Sequence, residues 1–157
     1  MKKFFLKFIA ISVIILGIIT PYIDYFVVIQ MFFLLIPFIG ILLFSLILFI
    51  TNLFKNRKNV FTLKSTKIIT IIPLFLLAQI ISVFIIHKVQ RFRSEQIIEN
   101  LKTNYKYYPQ KLPTNYGIKY YKLKDLNEFR IEYERGFFVR EVYDSTVKTW
   151  ESYGWND

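Results

Sequence analysis

Apolar residues fill three long stretches of this chain almost without interruption, and their spacing then changes from continuous to periodic. "FFLKFIAISVIILGIIT" (Phe4 to Thr20) is the first stretch, closed by Thr20-Pro21. Phe26 to Leu53 is the second, and "IITIIPLFLLAQIISVFIIH" (Ile68 to His87) the third. A hydrocarbon core about 30 Å thick needs roughly 20 apolar residues in a helix. Backbone N–H and C=O groups cannot go unpaired in lipid, so helices are the reading of all three runs. The predicted spans are residues 4–20, 28–52 and 68–87. The second is longer than an upright helix requires, which predicts tilt or a kink near Pro37. The first follows a basic start, but no small-x-small cleavage site follows it, and it is read as a retained anchor.

After His87 the pattern turns helical and amphipathic. Ile97, Ile98, Leu101, Tyr105 and Tyr108 fall within about 100° on a helical wheel, which predicts a helix continuing to Pro109 with one apolar stripe. Val89 and Phe92 lie off that stripe and are expected to be exposed or covered by a partner. Further on the period becomes two. "EFRIEYERG" sets Phe129, Ile131 and Tyr133 on one face and Arg130, Glu132 and Glu134 on the other. "FFVREVY", "VKTWESYG" and a short "GIKYYKL" supply the other strands, and Arg135-Gly136 reads as a turn. Charge pairing favours a register with Glu132 opposite Arg140 and Phe129 opposite Tyr143.

The expected fold is therefore a membrane all-α domain of three transmembrane helices (residues 1–87). A small C-terminal α+β domain (residues 88–157) follows: an extended third helix, then a three- to four-stranded antiparallel sheet.

Charge adds an orientation. Of 21 Lys and Arg residues in a chain of 157, eight lie before His87, where Asp24 is the sole acid. Lys2, Lys3 and Lys7 flank the first span, and Lys55, Arg57, Lys58, Lys64 and Lys67 crowd the loop before the third. The short loop between spans one and two carries none. By the positive-inside tendency the amino terminus and basic loop face the cytoplasm, and the tail lies outside a cell membrane that the chain crosses several times. Lys88, Arg91 and Arg93 follow the third span on the outer side, against that trend. The excess of Ile, Lys, Asn and Phe over Ala and Gly fits an AT-rich bacterial genome.

Candidate chemistry is sparse. The chain has no cysteine and a single histidine, His87, so thiolate and multi-histidine metal sites lack ligands. No glycine-rich phosphate loop or nucleophile motif appears. The expectation is a non-enzymatic protein with no cofactor and no small-molecule substrate. Nucleic acid is not expected either, because the basic loop sits against a membrane without base-stacking aromatics. Gln30 and Gln79 are candidates for polar helix packing. Lys55, Arg57, Lys58, Lys64 and Lys67 are candidates for contact with lipid headgroups. The tail's aromatics exceed what so small a core can bury, which makes Tyr107, Tyr108 and Trp155 candidates for a partner surface. The carboxylates Glu128, Glu132, Glu134 and Glu141 alternate with basic residues and are expected on solvated sheet faces. Asp24 is expected in a solvated loop, and His87 at the headgroups. The expected partners are the lipid bilayer, other membrane or envelope proteins, and further copies of the chain. A role as accessory subunit of a transporter, secretion or membrane-lesion complex is the alternative.

The order of elements resembles a type IV pilin or type II secretion pseudopilin. An apolar helix is followed by an amphipathic continuation, a "YP-x-x-L" turn (Tyr108-Pro109-Gln110-Lys111-Leu112) and an antiparallel sheet. Phe61-Thr62-Leu63 stands shortly before the last apolar run, as at that family's processed amino terminus. Val60 replaces the glycine before the cleavage point, Ser65 replaces the glutamate at the fifth mature position, and two further spans precede the motif. The resemblance covers roughly residues 61–157. It implies the layout of the tail, while processing and filament assembly do not carry over.

Overall fold

The computed structural model of the protein describes residues 2–123 and 127–154. The chain divides into two compact units, Met1–Ser82 and Val83–Asp157.

In the first unit, α1 (Lys2–Ile19) ends in a tight turn, Thr20–Tyr22, where Pro21 takes the second position. α2 (Asp24–Ile29) leads through a widened turn, Gln30–Leu34, into α3 (Leu35–Asn56). The expected irregularity near Pro37 thus lies just before it. Pro37 is the third residue of α3, and its ring would press on the carbonyl of Phe33 in a regular helix; widening the preceding turn relieves that clash. Pro73 accompanies a second break. It is the third residue of α5 (Ile71–Asn104), and the helix is interrupted at Thr70, between α4 (Lys64–Ile69) and α5. Among the described residues three segments are long and apolar enough to cross a membrane: Phe5–Tyr22, Asp24–Lys55 and Lys64–Asn104. Their outward residues are large and apolar, Phe32, Phe33, Ile36 and Phe44 among them.

Inside this unit α1 and α5 come into close contact. A Cβ placed on Gly17 would stand 2.7 Å from the Phe75 carbonyl oxygen and 2.8 Å from the Ala78 Cβ. Phe75 itself meets Phe26 and Phe38 edge-on, with centroids 6.2 and 6.0 Å away. Glycine and alanine at such a contact let backbones approach, which is how helices gain van der Waals contact where lipid supplies no hydrophobic drive.

The second unit begins within α5, five residues earlier than the change in hydropathy at His87 suggests. His87 belongs with it, because its ring bonds a strand residue of the same unit. α5 stops at Asn104, short of the expected end at Pro109. A residue before proline avoids the α conformation, and Asn127 latches the released segment. Asn127 donates to the Lys106 carbonyl at 2.9 Å and accepts from the Tyr108 N–H at 2.9 Å. Tyr105 therefore drops out of the helical stripe and is exposed, whereas Ile98 and Leu101 are buried.

The sheet is a four-stranded antiparallel meander in the order β1 (Lys119–Lys122), β2 (Phe129–Gly136), β3 (Val139–Asp144), β4 (Thr149–Tyr153). Phe129, Ile131 and Tyr133 point together into the core, following the alternation. They join Ile98, Leu101, Ile118 and Tyr143, with Tyr108, Leu112, Tyr120 and Trp150 packed around. The β2–β3 register differs from the expected one by two residues. Ile131 lies opposite Tyr143, Glu134 opposite Arg140, and Arg130 opposite Asp144. A shift of two preserves which face each residue takes. It arises because the chain reverses at Phe137-Phe138, past the expected Arg135-Gly136, with an irregularity at Glu134/Gly136. Gly136, Phe137 and Phe138 all have positive φ, at 101°, 53° and 60°.

Candidate functional site

Two polar groupings stand out, one in each unit. In the first unit Gln79 is 2% exposed among apolar helices. Its Nε2 donates to Oε1 of Gln30 at 2.8 Å and to Oγ1 of Thr20 at 2.9 Å, and Gln30 Nε2 donates back to Gln79 Oε1 at 3.0 Å. One turn along α5, Ser82 donates to the Ile18 carbonyl at 2.9 Å. The cluster is neutral and hydrogen-bonded throughout, which suits helix association in a low-dielectric setting and offers no charge relay.

The basic residues divide by position. Lys55 and Arg57 sit at the carboxyl end of α3, exposed, where positive charge complements the helix dipole. Lys64 and Lys67 lie on α4 and line a cleft of about 550 Å³ with Lys7 of α1. The Lys58 side chain lies outside the described residues. Between these groups Val60 is fully buried, and Asn52 of α3 donates to Thr66 at 3.2 Å, fixing the turn.

In the second unit the aromatic candidates separate. Tyr107 is exposed. Tyr108 is not a free surface residue: its ring meets Phe129 edge-on, centroids 4.6 Å apart, and packs on the core. Proline next to it turns the chain so that this tyrosine folds back onto the sheet, and Tyr120 Oη donates to the Pro109 carbonyl at 2.7 Å. Trp155 lies outside the described residues.

Glu141 is a further correction. It is 4% exposed, not solvated. It lies two residues from Tyr143 on the inward face of β3 and opposite Tyr133. Arg135 donates to it at 3.2 Å and Ser152 at 2.8 Å, so the buried carboxylate is paired. Beside it the Tyr133 hydroxyl and His87 Nδ1 share a hydrogen bond of 3.1 Å. Burial, then the neighbouring Glu141 charge, pushes the Tyr133 hydroxyl up to about 12. Arg91 stacks 4.0 Å from the Trp150 ring centroid. The group fastens β2, β3 and β4 to the helix. The parity of Glu141 with Tyr143 is the signal for the inner face; alternation with basic neighbours points instead to a solvated one.

Among the described residues no group of three His, Cys, Asp or Glu side chains could hold a metal ion. No protein-family model, curated protein or solved structure matches the chain.

Proposed function

We propose that the chain is a multi-pass integral protein of the cell membrane, with its amino terminus in the cytoplasm, whose tail is an extracytoplasmic α+β domain for binding protein or envelope components. Its role in this reading is non-enzymatic. The observation that supports it most is the distribution of tail aromatics. A closed core coexists with Tyr107 and Tyr116, which remain 72% and 71% exposed. Tyrosine is favoured in recognition surfaces because its rigid ring offers large contact area at low entropic cost. Arg93 lies 4.1 Å from the Tyr116 ring centroid and holds that side chain in place.

Two measurements test this. Topology reporters should place Asn59 in the cytoplasm and the position after Asp157 outside; the reverse placement rejects the orientation, and the same side for both rejects the third crossing. Photo-crosslinking from position 107 in native membranes should trap a defined product. Only unlinked chain from that position would leave the binding role without support.

A second reading, an accessory subunit acting through its spans, draws on the Gln30–Gln79–Thr20 cluster. Gln30→Leu with Gln79→Leu should then abolish assembly with the larger complex, while leaving the tail folded.

A further inference from the structure

The cleft beside Lys64 and Lys67 has an order of chemistry along it that a general basic loop would not need. From the second wall, α4 and α5, come Lys64, Lys67, Ile71 and Leu74, with Thr70 between the basic and apolar parts. These positions advance by three or four, so they form one stripe that passes from ammonium through hydroxyl to hydrocarbon. From α1 come Leu6 and Lys7, then Ile9 and Ala10 deeper in the span. Both walls therefore run from basic at the loop end to apolar toward the middle of the membrane-length segments. The small side chain of Ala10 leaves room on that floor.

Among the described residues no carboxylate lines the cleft, and the sole acid of the first unit, Asp24, is 17 residues beyond Lys7 past the far end of α1. Lys7, Lys64 and Lys67 are all solvent-exposed. The cleft of about 550 Å³ falls within the range of roughly 300–1,000 Å³ usual for ligand sites. Three lysines lining one cleft without a counter-charge among the described residues call for an anion. A hydrocarbon floor continuing from them calls for an attached chain.

We propose that this cleft is a binding site for one anionic phospholipid, its phosphate held by Lys7, Lys64 and Lys67 and an acyl chain lying along Ile9, Ala10, Ile71 and Leu74. Diffuse attraction of basic loops to anionic leaflets is general; a site selects a single molecule by position. The inference rests on the membrane reading above.

The test is native mass spectrometry of the full chain released from detergent micelles, where no leaflet surface potential exists. The probes are a phosphatidylglycerol, a phosphatidylcholine of matched chains, and inorganic phosphate. One phosphatidylglycerol should be retained per chain, about tenfold or more in preference to the zwitterion. Lys64→Gln with Lys67→Gln should weaken retention about tenfold or more, whereas Lys55→Gln with Arg57→Gln, an equal loss of charge outside the cleft, should change it by less than about twofold. Ala10→Trp, which keeps every charge, should also reduce retention by filling the floor. Equal losses from the two charge pairs would overturn the site in favour of diffuse attraction. Full competition by inorganic phosphate, with Ala10→Trp without effect, would overturn it in favour of a simple anion site. Extraction of the wild-type chain from membranes by alkaline carbonate would reject the membrane reading itself; an inserted chain that retains no lipid rejects the cleft alone.

Discussion

Gln79 and Gln30 exchange two hydrogen bonds, 2.8 Å in one direction and 3.0 Å in the other, across 49 residues of sequence. Each amide is the other's main partner, so truncating one strands the other. Gln79→Leu should destabilise the first unit by about 1–2 kcal/mol, because it orphans both Gln30 and Thr20. Adding Gln30→Leu should cost less than the two single changes summed, since the double variant leaves no unpaired amide. A double-mutant cycle by denaturation in bicelles measures the coupling, and additivity would contradict the pairing.

Gly17 predicts a contrast with Gly40. Gly17→Ala drives a methyl group against backbone at 2.7 Å, and backbone yields little. The loss should be about 1–3 kcal/mol. Among the described residues nothing stands within 4 Å of the corresponding position at Gly40, so Gly40→Ala should be neutral or stabilise by up to about 1 kcal/mol through helix propensity. The difference between the two variants' unfolding midpoints is the readout.

The tip of the β2–β3 hairpin carries two phenylalanines with positive φ. Left-handed backbone costs a bulky L-residue on the order of 1 kcal/mol, and two-residue hairpin turns prefer Asn-Gly. Phe137→Asn with Phe138→Gly should therefore raise the melting temperature of the full chain in detergent. Gly136→Ala, at φ 101°, should lower it. A fall in stability with the Asn-Gly tip would show that ring contacts outweigh the backbone strain.

Tyr133 gives a pH dependence with a definite sign. Its hydroxyl sits near 10 when unfolded and at about 12 in the folded chain. The folded state then binds the proton more tightly, so this contribution is complete below pH about 10 and is lost as pH rises through 12. Tyr133→Phe should flatten that part of the alkaline stability limb. An unchanged alkaline slope would mean the hydroxyl is not shielded by the fold.

Asp144 acts at the other extreme. Burial opposes its ionisation, but bonds from Thr146 and Arg130 outweigh that and hold its carboxyl below the usual range. Its contribution is complete above the ordinary carboxylate value of about 4 and is lost as pH falls through its folded value. Asp144→Asn should make acid unfolding shallower, measured by circular dichroism between pH 5 and 2. Identical acid limbs would contradict the assignment.

The parts legible in the sequence were those governed by local period. Three apolar runs announced the three membrane-length segments, and the parity of Phe129, Ile131 and Tyr133 announced the inner face of β2. The parts that were not legible depend on partners distant in sequence. Nothing near Tyr105 reveals that Asn127 captures the segment after α5 and ends the helix early. Parity with Tyr143 places Glu141 on the inner face, but nothing near it reveals Ser152 or the His87–Tyr133 bond beside it. The register slipped because turn chemistry favours Gly at the reversal, whereas here glycine supplies the irregularity and phenylalanines make the turn. In the candidate site, the run of lysines was visible, but its division into a helix-end pair and a cleft pair required Lys7 from the opposite end of the unit.

The strand order β1-β2-β3-β4 follows the order of synthesis, and each strand bonds only its immediate predecessor and successor. Short-range pairing keeps loop-closure entropy small and makes assembly quick. The sheet can thus zip up hairpin by hairpin without waiting for any distant strand. Only its seating on Ile98 and Leu101 depends on a helix made earlier.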